Sequence, residues 1–266
     1  MKDHYTNCMF INNKNQKTTG VPINNIDTIR GCPNNCESCY ANKLSSITIR
    51  DFTKPILVEK FTGRVHEDLT YRIGNFGDPA INWAHTEKMI KKYKIKNFFV
   101  VTKLQSIKGF SGYCKNLQVS VDPMNELHLI RTLQNVETLL NNFDVNIVLR
   151  IRSSDTNNFL INLFQYEAVL FANNHNLPVL ETRVRFKDKK AYDKYDLIAE
   201  SYEWTRSFLR PKNNLRFLHD VEQHYVCDEA GNKCAGCLNC LKLLEPAVST
   251  VTLHQGSQRA IINSAA

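Results

Sequence analysis

The chain has 266 residues, 42% of them hydrophobic and 23% charged, with a formal net charge of +8. Those proportions are of a soluble globular protein with one large domain and room for a small appendix, so its core needs no cysteine staples. Nine cysteines, seven of them in two tight groups, therefore argue for metal binding in a reducing compartment rather than a disulfide framework.

The first 23 residues are rich in Asn, Lys and Thr and show no period. The Met-Lys-Asp-His-Tyr start has no apolar run of the kind a secretory leader needs, and no stretch approaches the length of a membrane span. Cytoplasm is the expected location, with no membrane partner. The first strand is expected over Asn25–Arg30. It runs into Gly31-Cys32-Pro33-Asn34-Asn35-Cys36-Glu37-Ser38-Cys39-Tyr40, which places three cysteines within eight residues. Iron–sulfur clusters are normally held by four cysteines, so a set of three leaves one iron open to a ligand that is not protein. The competing reading is a zinc site completed by a distant ligand. Such sites usually bring their second pair within about 15–20 residues, whereas no Cys or His lies between Cys39 and His66.

A second strand is expected over Leu69–Asn75, followed by Gly77-Asp78-Pro79, and a helix over Trp83–Tyr93. Third, fourth, fifth and sixth strands follow at Asn97–Thr102, Leu117–Val121, Asn146–Ile151 and Val179–Arg185. Helices Asn125–Asn142 and Thr156–Asn174 lie between the later ones. In the first of these, Leu127, Ile130, Leu133, Val136, Leu140 and Phe143 form an apolar stripe of helical period. Strands alternating with helices predict βα units and a parallel sheet. Gln118, Ser120 and Asp122 share one face of the fourth strand, Arg150 and Arg152 one face of the fifth, and Glu181, Arg183 and Arg185 one face of the sixth. With the apolar face under the helices, these polar residues are expected to line a wet interior suited to a polar ligand.

After about Lys190, Tyr192, Tyr195, Tyr202, Trp204 and Phe208 punctuate a stretch read as an amphipathic helix over the open side. Cys227, Cys234, Cys237 and Cys240 form the second cysteine group. Four thiolates saturate either a [4Fe–4S] cluster or a tetrahedral zinc, and the C-x2-C-x2-C spacing is closer to the ferredoxin run than to a zinc ribbon. A short β-like run, Val248–Leu253, precedes the end. Cys8 and Cys114 lie outside both groups and read as ordinary free thiols. The lysines between Lys88 and Lys96 and the basic run from Arg183 to Lys190 read as a solvated helix face and a loop, with an anionic substrate as the alternative.

The segment Gly31–Tyr40 resembles the signature loop of the radical S-adenosylmethionine (SAM) superfamily. The resemblance implies a partial (β/α)6 barrel over residues 1–190, with a C-terminal helical and cysteine-rich extension over 191–266. It implies a [4Fe–4S] cluster on Cys32, Cys36 and Cys39, with SAM chelated at the open iron. Reductive cleavage would then give a 5′-deoxyadenosyl radical that abstracts hydrogen from a substrate. The family's usual aromatic position, just before the third cysteine, is Ser38 here, and Tyr40 stands one step beyond that cysteine as the implied contact. Gly77-Asp78-Pro79 resembles a shortened form of the family's Gly-Gly-Glu-Pro segment, whose backbone receives the SAM amino group. The third strand ends Val101-Thr102-Lys103. On the next two strands Ser120 and Arg150 are implied contacts of the SAM ribose and carboxylate, with Arg152 the second choice for the carboxylate. Several members carry C-terminal auxiliary clusters, which makes a second [4Fe–4S] cluster the first reading of the later cysteines and zinc the alternative. A flavodoxin- or ferredoxin-like reductant is implied. Nucleotide or nucleic acid is slightly favoured over peptide as substrate, and no catalytic side chain is assigned. The rival from another class is a zinc-stapled nucleic-acid-binding protein without catalysis.

Overall fold

The run Phe98-Phe99-Val100-Val101-Thr102 is aromatic and β-branched throughout, and it lies in the interior of a seven-stranded sheet. The computed structural model describes residues 8–10, 23–34, 36, 39, 41, 51–62, 64–67, 69–153, 156–184, 189–196, 202–205, 208–211 and 224–226. In chain order the strands are β1 (Cys8–Phe10), β2 (Ile23–Ile26), β3 (Ile29–Arg30), β4 (Ile56–Leu57), β5 (Lys60–Thr62), β6 (Thr70–Ile73) and β7 (Phe98–Thr102). They continue with β8 (Asn116–Val121), β9 (Asn146–Ser153), β10 (Val179–Arg183), β11 (Tyr202–Thr205), β12 (Phe208–Pro211) and β13 (His224–Val226). Helix α1 (Trp83–Lys92) precedes β7, α2 (Glu126–Asn142) joins β8 to β9, α3 (Phe159–Asn174) joins β9 to β10, and α4 (Lys189–Asp193) follows β10.

The main sheet has seven strands in the order β2-β6-β7-β8-β9-β10-β13, and every neighbouring pair is parallel. The protein is therefore α/β, and its strands advance in chain order across the sheet as they do around a barrel wall. All six expected strands are present. The first is split: β2 stays in the main sheet, whereas β3 leaves it and pairs antiparallel with β4. Asp27 sits at the break, fully buried, and its carboxylate accepts the Asn75 and Phe76 amides at 2.5 and 2.8 Å. The seventh strand, β13, is only three residues long and escaped notice in the sequence for that reason.

Each long helix starts where an asparagine caps it. Asn82 accepts the His85 amide at 2.9 Å, Asn125 that of His128 at 3.0 Å, and Asn158 that of Leu160 at 3.0 Å. Such a side chain satisfies one of the orphan donors of the first turn. It also explains why α3 begins at Phe159 rather than Thr156, whose hydroxyl instead donates to the Tyr195 and Asp196 carbonyls.

The core lies between the sheet and the helices. Leu117, Val119, Val121, Leu149 and Ile151 pack with Leu129, Val136, Leu139, Ala168 and Ala172, and the fully buried Trp83 meets Phe110 edge-on at 5.0 Å. One expectation is corrected in part here. In α2 the apolar stripe meets the core through Val136, which is buried, and Leu133, Leu140 and Phe143, which pack against it, whereas Leu127 and Ile130 are 73% and 44% exposed. Leu129, Thr132 and Leu139 complete the buried face, which is rotated toward them at the start of the helix. A second correction concerns the aromatic stretch after Lys190. Its helix spans only Lys189–Asp193, and Tyr202–Thr205 pairs antiparallel with Phe208–Pro211 as a hairpin. Among the described residues no helix is long and apolar enough to cross a membrane.

Candidate functional site

Parallel α/β sheets bind ligands at the carboxyl ends of their strands, and the cysteine loop is placed there. Gly31 carries φ +89°, where a Cβ would lie 2.7 Å from the Phe52 carbonyl oxygen, so only glycine makes this entry without strain. The Gly31 amide donates to the Phe76 carbonyl at 2.8 Å and the Cys32 amide to Phe52 at 2.7 Å, which ties the loop to the turn after β6 and to the β4 approach. The Cys39 amide donates to the Cys36 carbonyl at 2.9 Å, closing a turn between the second and third cysteines. Cys32 and Cys39 pack against Ala41 and Phe52.

Cys32, Cys36 and Cys39 line one open cleft with about 660 Å³ of empty space, part of it exposed to solvent. The opposite walls carry Arg72, Gly74, Asn75, Gly77, Asp78, Thr102, Lys103, Ser120, Arg150 and Arg152. Of the residues singled out in the sequence, the three cysteines, Gly77, Asp78, Ser120, Arg150 and Arg152 are thus brought together. Pro79 stands just behind, against Gly74, whose Cβ would lie 2.8 Å from the proline ring. Tyr40 and the later group Cys227, Cys234, Cys237 and Cys240 lie outside the described residues. Cys114 is fully buried in the core, away from the cleft.

Gly77 and Asp78 have structural duties of their own. A Cβ on Gly77 would fall 2.1 Å from the Ile29 carbonyl oxygen, and Gly77 bridges Gly31. Asp78 is buried, and its carboxylate accepts from the Ala80 amide at 3.1 Å, the Thr102 hydroxyl at 2.5 Å and the Lys103 amide at 3.2 Å. Burial pushes its titration up, opposed by those hydrogen bonds. Asp27 is likewise pushed up to about 6 by burial, with the Phe76 and Asn75 amides and the nearby Arg72 and Arg30 charges pulling the other way.

The strongest electrostatic feature is one the sequence reading had not assigned. Lys103, at the end of β7, donates to Asp122 at 2.8 Å, and Arg152 Nη1 lies 3.7 Å from the same carboxylate oxygen. Asp122 is buried, which alone would raise its titration. The charges of Lys103 and Arg152, helped by the Lys103 and Met124 hydrogen bonds, outweigh that and hold the carboxyl well below the usual carboxylate range. A polar residue closing each of three adjacent strands was the available signal.

Two of the cysteines have their titration raised by burial. Burial, then the Asp78 charge, pushes Cys32 up to about 12, with Cys36 and Cys39 adding to it. Burial also raises Cys36, which Lys103 and Arg152 oppose. Among the described residues no three His, Cys, Asp or Glu side chains converge closely enough to hold a single metal ion.

No protein-family model, curated protein or solved structure matches this chain.

Proposed function

We propose that this protein is a radical SAM enzyme, with a [4Fe–4S] cluster held by Cys32, Cys36 and Cys39 and SAM at its open iron. The observation that carries the reading is the gathering of three cysteines with Ser120, Arg150 and Arg152 around one cleft at the carboxyl edge of a parallel sheet. The donor set suits a cluster: three cysteines on one cleft leave one iron of a four-iron cluster open to a ligand that is not protein, whereas a tetrahedral zinc would still need a fourth ligand. When bound, such a cluster supplies the electron that cleaves SAM to methionine and a 5′-deoxyadenosyl radical.

The chain's own residues bind and orient. Arg150 offers a guanidinium whose paired donors match a carboxylate, and Ser120 is its direct neighbour across the β8–β9 ladder. The Gly77 backbone forms the wall that the SAM amino group would face. On this reading the sheet order is that of the family's partial (β/α)6 barrel, the electron comes from a flavodoxin- or ferredoxin-like donor, and the later cysteines hold a second cluster.

Anaerobic reconstitution tests the proposal. A brown protein with roughly four to eight irons, by cluster stoichiometry, that forms 5′-deoxyadenosine from SAM and reductant supports it. Cys36→Ala should remove that activity. A colourless protein carrying zinc would favour the non-catalytic alternative.

A further inference from the structure

The polar wall of the cleft has two rungs. Ser120 and Arg150 are paired across β8 and β9 and form the first. One step further along the same faces, about 6.6 Å at 3.3 Å per residue, Asp122 and Arg152 form the second, joined there by Lys103. The second rung carries two cations about one carboxylate.

Lys103 is only 9% exposed, yet among the described residues its ammonium makes one hydrogen bond, to Asp122. An ammonium has three donors, and a buried donor with no acceptor is costly. A buried ammonium that spends one of its three donors on Asp122 and faces a cleft, with a guanidinium beside it, is organised in advance for a second anion.

We infer that Lys103 and Arg152, positioned by Asp122, form a subsite for an oxyanion of the substrate, phosphate or carboxylate, distinct from the rung that takes the SAM carboxylate. The inference rests on the reading of the cleft as a SAM site. It assigns Arg152 to the substrate and leaves Arg150 to SAM. Asp122 is a positioning residue that keeps both cations at the cleft.

The test is calorimetric titration of pyrophosphate and, separately, succinate into the reconstituted protein, with and without saturating SAM. At least one probe should bind beside SAM, and which one binds separates phosphate from carboxylate recognition. Lys103→Met should weaken that probe by about tenfold or more, the loss of a charge-assisted hydrogen bond, while SAM affinity stays within about twofold. Lys103→Arg should keep most of the binding. If Lys103→Met does not fold, Lys103→Gln takes its place with the same expectation.

Failure of both probes to bind overturns the inference. So does binding that the variants leave unchanged, or SAM affinity that falls in step with probe affinity. Deoxyadenosine formation without probe binding removes this inference and leaves the proposed function standing. Probe binding lost in Lys103→Met, in a protein that cleaves no SAM, keeps the oxyanion subsite and removes the enzyme.

Discussion

Gly77 and Ile29 touch backbone to backbone: a Cβ on Gly77 would sit 2.1 Å from the Ile29 carbonyl oxygen. This contact sets the cysteine loop on the turn after β6, because Gly31 follows two residues after Ile29 and bridges Gly77. Gly77→Ala must push apart two main chains, and neither is a flexible side-chain end. The expected result is a loss of folded protein, read from the melting temperature, and, on the reading of the loop as a cluster site, of iron taken up on reconstitution. Gly109→Ala is the control. It also has a positive φ, +80°, but its Cβ would meet nothing nearer than 3.7 Å. It should cost only about 1 kcal/mol, the usual order for a strained αL residue.

Asp122→Asn removes a carboxylate that Lys103 and Arg152 share on a largely buried wall. Breaking a buried ion pair at one partner typically costs about 3–5 kcal/mol. Denaturant unfolding should show a loss of that order, while the double variant Asp122→Asn with Lys103→Met should recover part of it. No recovery would mean that the carboxylate supports something other than these cations.

On the reading of the cleft as a SAM site, Arg150→Gln should weaken SAM binding by about tenfold, the loss of a charge-assisted pair, and Ser120→Ala by less. Equilibrium binding to the reconstituted protein reads this directly. Unchanged affinity in Arg150→Gln would move the SAM carboxylate elsewhere on the wall.

Much of this architecture was legible because it depends on local pattern. Val119, Val121, Leu149 and Ile151 alternate with Ser120, Arg150 and Arg152, and a two-residue period fixes which set meets the helices. The first two long helices start at their expected places, after Asn82 and at Asn125, whereas the third starts at Asn158 and not at Thr156. What escaped depends on partners distant in sequence. Nothing in Ile23–Arg30 reveals that the Asp27 carboxylate will capture two amides nearly fifty residues away and divert the strand. Nor could the strand pattern tell that Asp122 would choose Lys103 and Arg152, since Arg150 lies on the same face. Around Tyr202–Pro211, aromatic residues at loose helical spacing also alternate at a period of two, and the hairpin pairing prevailed.

Asp27 gives the fold a pH dependence of unusual sign. Its carboxyl titrates at about 6 in the folded chain against 3.8 for the ordinary group, because burial penalises the charged form. Between those values the folded state binds more protons than the unfolded one, so stability falls as pH rises from about 4 to about 6 and stays reduced above that. The shift corresponds to a loss on the order of 3 kcal/mol. Asp27→Asn should flatten most of this slope, since both amides bond to Oδ1, an oxygen that asparagine keeps. At pH 7.5 the variant should then be at least as stable as the parent. Asp78, raised in the same direction, leaves a remnant of the slope. Asp122 is shifted the other way, so its contribution is lost only as pH falls below the ordinary carboxylate range. Unfolding free energies at pH 4, 5, 6 and 7.5 for parent and variant decide the matter. Parallel curves would show that Asp27 is ionised in the fold across the whole range.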